Sequence, residues 1–350
     1  MPSISNYAIY IKKVLDKTNE INCLEQFLLT TCKELIKVQV MFQKKISDAT
    51  LTNLLRKSSY IDSVAKFKGA PLFSWIDINI TELCNRKCVF CPRVNPEFYP
   101  NLNLHMDIEL AKKIGKELSS INYQGVVVFS GYSEPTLCPH FEEIIKAFPK
   151  KIRLELVTNG DKLTPKDFKN LFSLGINHFV VSLYDGEHQL KKFKALFAKA
   201  GLSEKFYSLR DRWHDSNKNF GLKLTNRGGT IKIGEQPEVV LKKPCYYPSY
   251  SMTIDWNGDV LVCMQDWNKK VKFGNARSQS LLEIWQNKAF SKYRMSLLGG
   301  TRKFSPCNKC NAEGTMHGFN HADAWAYRQK HVTSSVPKIN TKTNKINEPI

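Results

Sequence analysis

The chain lacks any uninterrupted apolar run of about 18 residues, so no membrane-spanning helix is expected. Met1 to Lys12 has no basic stretch followed by an apolar core, and so no secretory leader is read there. No run of five basic residues and no internal repeat occurs, although the net charge is +20. Scattered lysines of this kind read as solvated faces; an anionic partner, such as a phosphorylated or nucleotide-linked sugar, is the alternative. Without export, 10 cysteines point to metal ligation rather than disulfides. A cytoplasmic protein is expected.

What is present centres on one loop. Cys84, Cys88 and Cys91 stand at C-x3-C-x2-C spacing directly after the alternating run Trp75-Ile76-Asp77-Ile78-Asn79-Ile80. Soft thiolates select zinc, copper(I) or iron–sulfur clusters. No fourth Cys or His lies close by, whereas a structural zinc site closes with four ligands. Three thiolates on a cubane leave one iron open.

With aromatic Phe90 just before its last cysteine, this loop resembles the cluster loop of the radical S-adenosylmethionine (SAM) enzymes. The resemblance implies a [4Fe–4S] cluster whose open iron holds SAM, and a 5′-deoxyadenosyl radical that abstracts a substrate hydrogen. It also implies a one-electron donor such as flavodoxin or ferredoxin.

From Phe73 onward, strand-like and helix-like segments alternate, as in a parallel sheet with crossover helices. Strands are expected at Trp75–Ile80, Gly125–Phe129, Arg153–Thr158, His178–Leu183, Phe206–Arg212 and Leu222–Ile233. Helices are expected over Asp107–Leu118, Phe141–Phe148, Pro165–Leu174 and Glu187–Lys199. Six strands in that order match the partial (β/α)6 barrel of the family, an α/β fold whose strand C-termini carry the site.

Those ends are informative. Ser130-Gly131-Tyr132-Ser133-Glu134-Pro135 resembles the family's Gly-Gly-Glu-Pro turn, with Tyr132-Ser133 where small glycines are usual. The resemblance assigns Gly131, Ser133 and Glu134 to the SAM amino group. It assigns Thr158, Asn159 and Ser182 to the SAM carboxylate, ribose or adenine, with Phe90 beside the cofactor. Arg210 is either a fork for the SAM carboxylate or a partner of Asp211. Arg227, before Gly228-Gly229, is expected to contact substrate or SAM. Cys138 is a buried apolar cysteine or, in an epimerase, a hydrogen-atom donor.

Cysteines return at Cys245, Cys263, Cys307 and Cys310, around a hairpin turned on Asn257-Gly258 and a helix over Leu281–Leu298. Four thiolates complete a shell for a second [4Fe–4S] cluster or for zinc. The pattern resembles the SPASM/twitch extension of the family in its one-cluster form, which implies an auxiliary cluster that accepts an electron.

The expected domains are a helical N-terminal extension (1–70), the barrel (71–240), a small α+β auxiliary domain (241–331) and a disordered tail (332–350). Cys23 and Cys32 are read as buried apolar residues of the extension. The segment Thr315–Trp325, with His317 and His321, is expected near the mouth, its histidines structural. Hydrogen abstraction from a sugar, cyclitol or related small-molecule alcohol is the functional expectation. Epimerisation of a sugar and maturation of a ribosomal peptide are the alternatives within the family. A zinc-bearing nucleic-acid-binding protein is the alternative outside it, and the absence of basic helices with interleaved aromatics weighs against that.

Overall fold

The structure is a computed structural model that describes residues 48–212, 225–232, 238–239 and 242–332. The helical pattern before Asp48, with Cys23 and Cys32, and the tail after Val332 lie outside the described residues. From Ala49 onward the chain forms one unit by its internal contacts. No described helix is long and apolar enough to cross a membrane.

The first described helix, α1 (Asp48–Ile61), leads into strand β1 (Trp75–Ile78). Then come α2 (Ile108–Ser120), β2 (Val126–Phe129), α3 (Phe141–Lys146), β3 (Arg153–Thr158), α4 (Pro165–Leu174), β4 (Ile176–Leu183), α5 (His188–Lys199) and β5 (Tyr207–Asp211). Local chemistry sets the helix starts. Asp107 accepts from the Leu110 amide at 2.8 Å, and Thr164 with Asp167 forms a capping box ahead of Pro165. All four residues of β2 are buried, as in a parallel strand covered on both faces.

Strands β1 to β5 pair in parallel and in chain order. On the other edge of β1 lies β6 (Ser251–Ile254), also parallel, with Trp75 opposite Ser251 and Asp77 opposite Thr253. Strands β7 (Asp259–Leu261) and β8 (Lys272–Asn275) follow antiparallel, so the sheet runs β8-β7-β6-β1-β2-β3-β4-β5. The second cysteine region is therefore hydrogen-bonded into the barrel sheet.

Side chains alternate across that sheet. Ile76, Ile78, Val127, Phe129, Leu154 and Leu156 join the main core with Leu110, Ile114, Phe141, Phe168 and Phe197 of the covering helices. On the other face Trp75, Val126 and Val128 meet Ile61 of α1 and Tyr250.

The stretch expected as a sixth strand departs from expectation. Its described residues, 225–232, form a tight turn in which Arg227, Gly228 and Gly229 all take positive φ, a conformation no strand contains. The helix expected over Leu281–Leu298 is two, α6 (Leu281–Gln286) and α7 (Lys288–Leu298), because extended Asn287 caps the second through the Phe290 amide. In the hairpin on Asn257-Gly258 only Gly258 has positive φ, and the Asp255 and Gly258 amide bonds make the loop a three-residue connection. Strand β8 and the last helix, α8 (Phe319–Val332), have no counterpart in the sequence reading. His321 of α8 lies 2.7 Å from the Ser74 hydroxyl and His317 lies 3.3 Å from that of Ser58. These histidines are structural, and they sit by the entry of β1 instead of closing over the mouth.

Candidate active site: two cysteine clusters across one sheet

The first cysteine loop follows β1 and is held from several sides. The Cys84 amide donates to Asn101 Oδ1 at 2.8 Å and the Cys91 amide to the Cys88 carbonyl at 2.9 Å. Between the cysteines, Arg86 donates to both oxygens of Asp161 (2.6 and 2.7 Å) and of Asp185 (2.7 Å each), tying the loop to the segments after β3 and β4. The Phe90 ring stacks on Tyr184 with centroids 5.8 Å apart. Burial raises all three thiols, Cys88 to about 12 with Cys91 and Cys84 as its charged neighbours.

The turn after β2 explains its own departures from the family pattern. Gly131 has φ +130°, and a Cβ there would stand 2.8 Å from Asn79 Cβ, so only glycine fits. Asn79 Oδ1 accepts from the Tyr132 amide (3.3 Å) and the Ser133 hydroxyl (2.7 Å), while its amide donates to Asp255 at 2.7 Å. Tyr132 is buried against Tyr99 and Trp267, and its hydroxyl donates to the Cys263 carbonyl at 3.3 Å. The bulky residue in the small-residue turn is thus a strut to the second cysteine site.

Glu134 is 2% exposed, and its carboxylate already accepts four bonds. The Thr158 hydroxyl (2.6 Å) and both donors of Thr136 (2.8 and 3.2 Å) reach Oε1, and the Asn159 amide (2.7 Å) reaches Oε2. Burial raises its pKa, and these bonds pull it back. Thr158 and Asn159 therefore brace the turn, and the Asn159 side chain also donates to Asn85 of the cysteine loop at 2.8 Å. Ser182 accepts from Arg210 at 2.8 Å on neighbouring strands.

Cys245, Cys263, Cys307 and Cys310 are all buried. Cys263 is raised well above a free thiol by burial and by the charges of the other three. The amides of Gln265 and Ala312 approach the sulfurs of Cys263 and Cys310 at 3.4 Å, and the Tyr293 hydroxyl lies 3.3 Å from Cys307 Sγ. Gly314 (φ +77°) sits where a Cβ would come within 2.5 Å of Cys245 Sγ. Arg302, 2% exposed, donates to the carbonyls of Lys243 (3.0 Å), Pro244 (3.0 Å), Ala312 (2.6 Å) and Glu313 (2.7 Å), joining the segments that carry Cys245 and Cys310.

Arg227 belongs to the turn that wraps this second site. Asn226 donates to the Lys309 carbonyl at 2.6 Å, and a Cβ on Gly229 would meet Lys309 at 2.7 Å. Burial raises the thiols of Cys91 and Cys310, and the Arg227 charge is one of the smaller influences that oppose it at both. Cys138 lies in the apolar layer under the helices, its thiol pushed up to about 11 by burial.

Further charged residues complete the frame. Lys269 pairs with Asp255 at 2.8 Å and with Glu82, and Arg93 donates to the Tyr132 carbonyl at 2.5 Å. Arg86 stands inside the cysteine motif, so its position was visible but its partners were not. For Arg302, Lys269 and Arg93 no local signal exists.

Both cysteine sets fit clusters rather than one ion. A four-iron cluster takes each thiolate on a separate iron, so its ligands need not converge on one point; among the described residues no three His, Cys, Asp or Glu do. Sulfurs that receive backbone amides are also suited to delocalised cluster charge.

Residues 78–217 match the radical SAM superfamily and residues 245–311 the SPASM iron–sulfur cluster-binding domain. The S-adenosyl-L-methionine-dependent 2-deoxy-scyllo-inosamine dehydrogenase of Niallia circulans is 31% identical over 245 residues, 69% of this chain and 93% of the relative. The crystal structure of BtrN in complex with AdoMet and 2-DOIA superposes with a TM-score of 0.60 at 29% identity, covering 72% of this chain and 98% of that one. BtrN in an open conformation gives 0.51 at 27% identity, with 69% and 93% covered. The chain therefore belongs to the radical SAM superfamily and is an enzyme that uses S-adenosylmethionine with one [4Fe–4S] cluster in its barrel and an auxiliary one in its SPASM domain.

Proposed function

We propose that the enzyme oxidises an alcohol carbon of a sugar, cyclitol or related polyol to a carbonyl. When bound, SAM and its cluster supply the radical that abstracts hydrogen, and the auxiliary cluster accepts an electron. The observation that carries this reading is the parallel pairing of β1, which leads into the first cysteine loop, with β6 of the second cysteine region, braced by the Tyr132 hydroxyl on the Cys263 carbonyl at 3.3 Å. A substrate held between the two cysteine sets could give its hydrogen to one side and its electron to the other.

In this reading Cys84, Cys88 and Cys91 hold the first cluster, and Cys245, Cys263, Cys307 and Cys310 hold the second. Gly131 offers close backbone approach to the SAM amino group, with Ser133 and the remaining lone pair of Glu134 Oε2 beside it. Thr158, Asn159, Ser182 and Arg210 line the approach to the rest of SAM, and Phe90 covers one side of it. Arg227 contacts substrate. Oxidation is favoured over epimerisation because Cys138 packs among apolar residues under the helices, remote in kind from a hydrogen donor's setting. The division into a barrel (71–240) and an auxiliary domain (241–331), the cytoplasmic setting and a flavodoxin- or ferredoxin-type donor form part of the same proposal.

The test is 5′-deoxyadenosine formation by anaerobically reconstituted protein with reductant and SAM. Small-molecule and macromolecular fractions of a cell extract are added separately. Stimulation by the small-molecule fraction is expected. Stimulation by the macromolecular fraction alone would replace the polyol with a peptide or carrier-bound substrate.

A further inference from the structure

The loop that begins at Cys263 ends on a residue with an uncommon backbone. Lys269 has φ +51°, a region that side chains other than glycine seldom occupy. The loop between them is tied together by its own amides. The Asp266 amide donates to the Cys263 carbonyl and the Lys269 amide to the Asp266 carbonyl, each at 3.1 Å. The Gln265 amide lies 3.4 Å from Cys263 Sγ. The position of Lys269 is therefore set by the cysteine that opens the loop.

The Lys269 side chain leaves the second cysteine region for the base of the first. Its ammonium pairs with Asp255 at 2.8 Å and with Glu82, two residues ahead of Cys84. Glu82 is 5% and Asp255 3% exposed. The other cation on Glu82 is Arg93, at 3.4 Å. Two enclosed carboxylates are thus matched by two cations, and loss of Lys269 would leave one negative charge buried without a counter-ion.

Asn79, at the end of β1, carries this arrangement to the turn after β2. Its nitrogen donates to Asp255 (2.7 Å) and to Glu82 (3.2 Å), the two carboxylates that Lys269 holds together. A carboxamide has one donor end and one acceptor end, so Oδ1 is left facing the turn. There it accepts from the Tyr132 amide (3.3 Å) and the Ser133 hydroxyl (2.7 Å). A continuous set of printed bonds thus runs from Cys263 through Lys269 and Asn79 to the Gly131–Glu134 turn.

We propose that Lys269 is a positioning residue for SAM, through which loading of the auxiliary cluster sets the affinity of the barrel for its cofactor. With Cys263 bound in a cluster the loop is ordered, Lys269 fixes Glu82 and Asp255, and Asn79 shapes the turn. The proposal rests on the assignment of Gly131, Ser133 and Glu134 to the SAM amino group. Its consequence is that SAM binds well only where the electron acceptor is already assembled.

The test is equilibrium titration with SAM of anaerobically reconstituted proteins, each shown by iron content and electron paramagnetic resonance to hold the barrel cluster. Lys269→Met should bind SAM at least about tenfold more weakly, within the usual range of coupling between two sites. The sign is diagnostic. SAM has a sulfonium and an ammonium against one carboxylate, so loss of a nearby cation would by charge alone tighten binding. Lys269→Arg should restore most of the affinity, and Lys270→Met, an exposed neighbour, should leave it unchanged. Cys263→Ala, holding the barrel cluster alone, should show the same loss as Lys269→Met. Coupling is reciprocal, so in the wild-type protein SAM should slow amide hydrogen exchange across residues 264–270, a measurement that needs no variant. Wild-type affinity in Lys269→Met or Cys263→Ala, or exchange across 264–270 that ignores SAM, would overturn the proposal. Those results would leave the SAM assignment and the alcohol-oxidation reading standing, whereas loaded wild-type protein that binds no SAM would remove the assignment of the turn and this proposal together.

Discussion

Replacing Arg302 by methionine should unload the auxiliary cluster while leaving the barrel cluster in place. Its guanidinium is enclosed and donates to four carbonyls that belong to the segments around Cys245 and Cys310. A hydrogen bond to a charged group contributes about 1.5–3 kcal/mol, but four on one side chain are not additive. Orphaning several buried carbonyls places the loss at about 3–5 kcal/mol, a large share of a typical folding free energy of about 5–15 kcal/mol. At about 2–4 °C per kcal/mol for a chain of this size, the unfolding midpoint falls by on the order of 10 °C. Since the same residue sets the separation of the cysteine segments, the auxiliary site should lose its iron first. Iron and sulfide content of anaerobically reconstituted protein, read beside the melting curve, tests this. Full iron content with a midpoint within about 2 °C of wild type would refute the reasoning.

Three further outcomes are expected. Cys84→Ala should abolish SAM cleavage, whereas Cys263→Ala should retain some cleavage and yield no oxidised product; turnover by both would show the cluster assignments wrong. Gly131→Ala forces a side chain into φ +130° and against Asn79, at a cost of about 2–5 kcal/mol, and should weaken SAM binding in an equilibrium titration. Burial holds His321 neutral, its pKa lowered from 6.5 to about 4, so the unfolded chain takes up a proton that the folded chain refuses. Its contribution is complete above pH 6.5 and is lost as pH falls towards 4; melting curves should show a shallower acid dependence in His321→Gln, by about 1–3 kcal/mol across that window.

The sequence alone determined everything that rests on short spacings. Cys84, Cys88 and Cys91 lie within one loop, so the expectation of a common ligand came from the interval between them. The order of strands and helices from Trp75 to Asp211 followed from periodicity and caps such as Thr164-Asp167, because those signals act over a few residues. The Leu222–Ile233 stretch failed for the same reason: β-branched and apolar residues suggested a strand, while packing of Asn226 and Gly229 against the distant Lys309 imposed a turn.

Only the tertiary structure decided how the two cysteine sites are joined. Strand β6 pairs beside β1, and a pairing between residues 75 and 251 leaves no local mark on either segment. Tyr132 looked like a defect in a small-residue turn until its hydroxyl was seen at the Cys263 carbonyl. Arg86, Arg302 and Lys269 are ordinary basic residues in a chain rich in them, and each acquires its task from partners far along the chain. A charge is specified by its surroundings, and those surroundings exist only once the chain has folded.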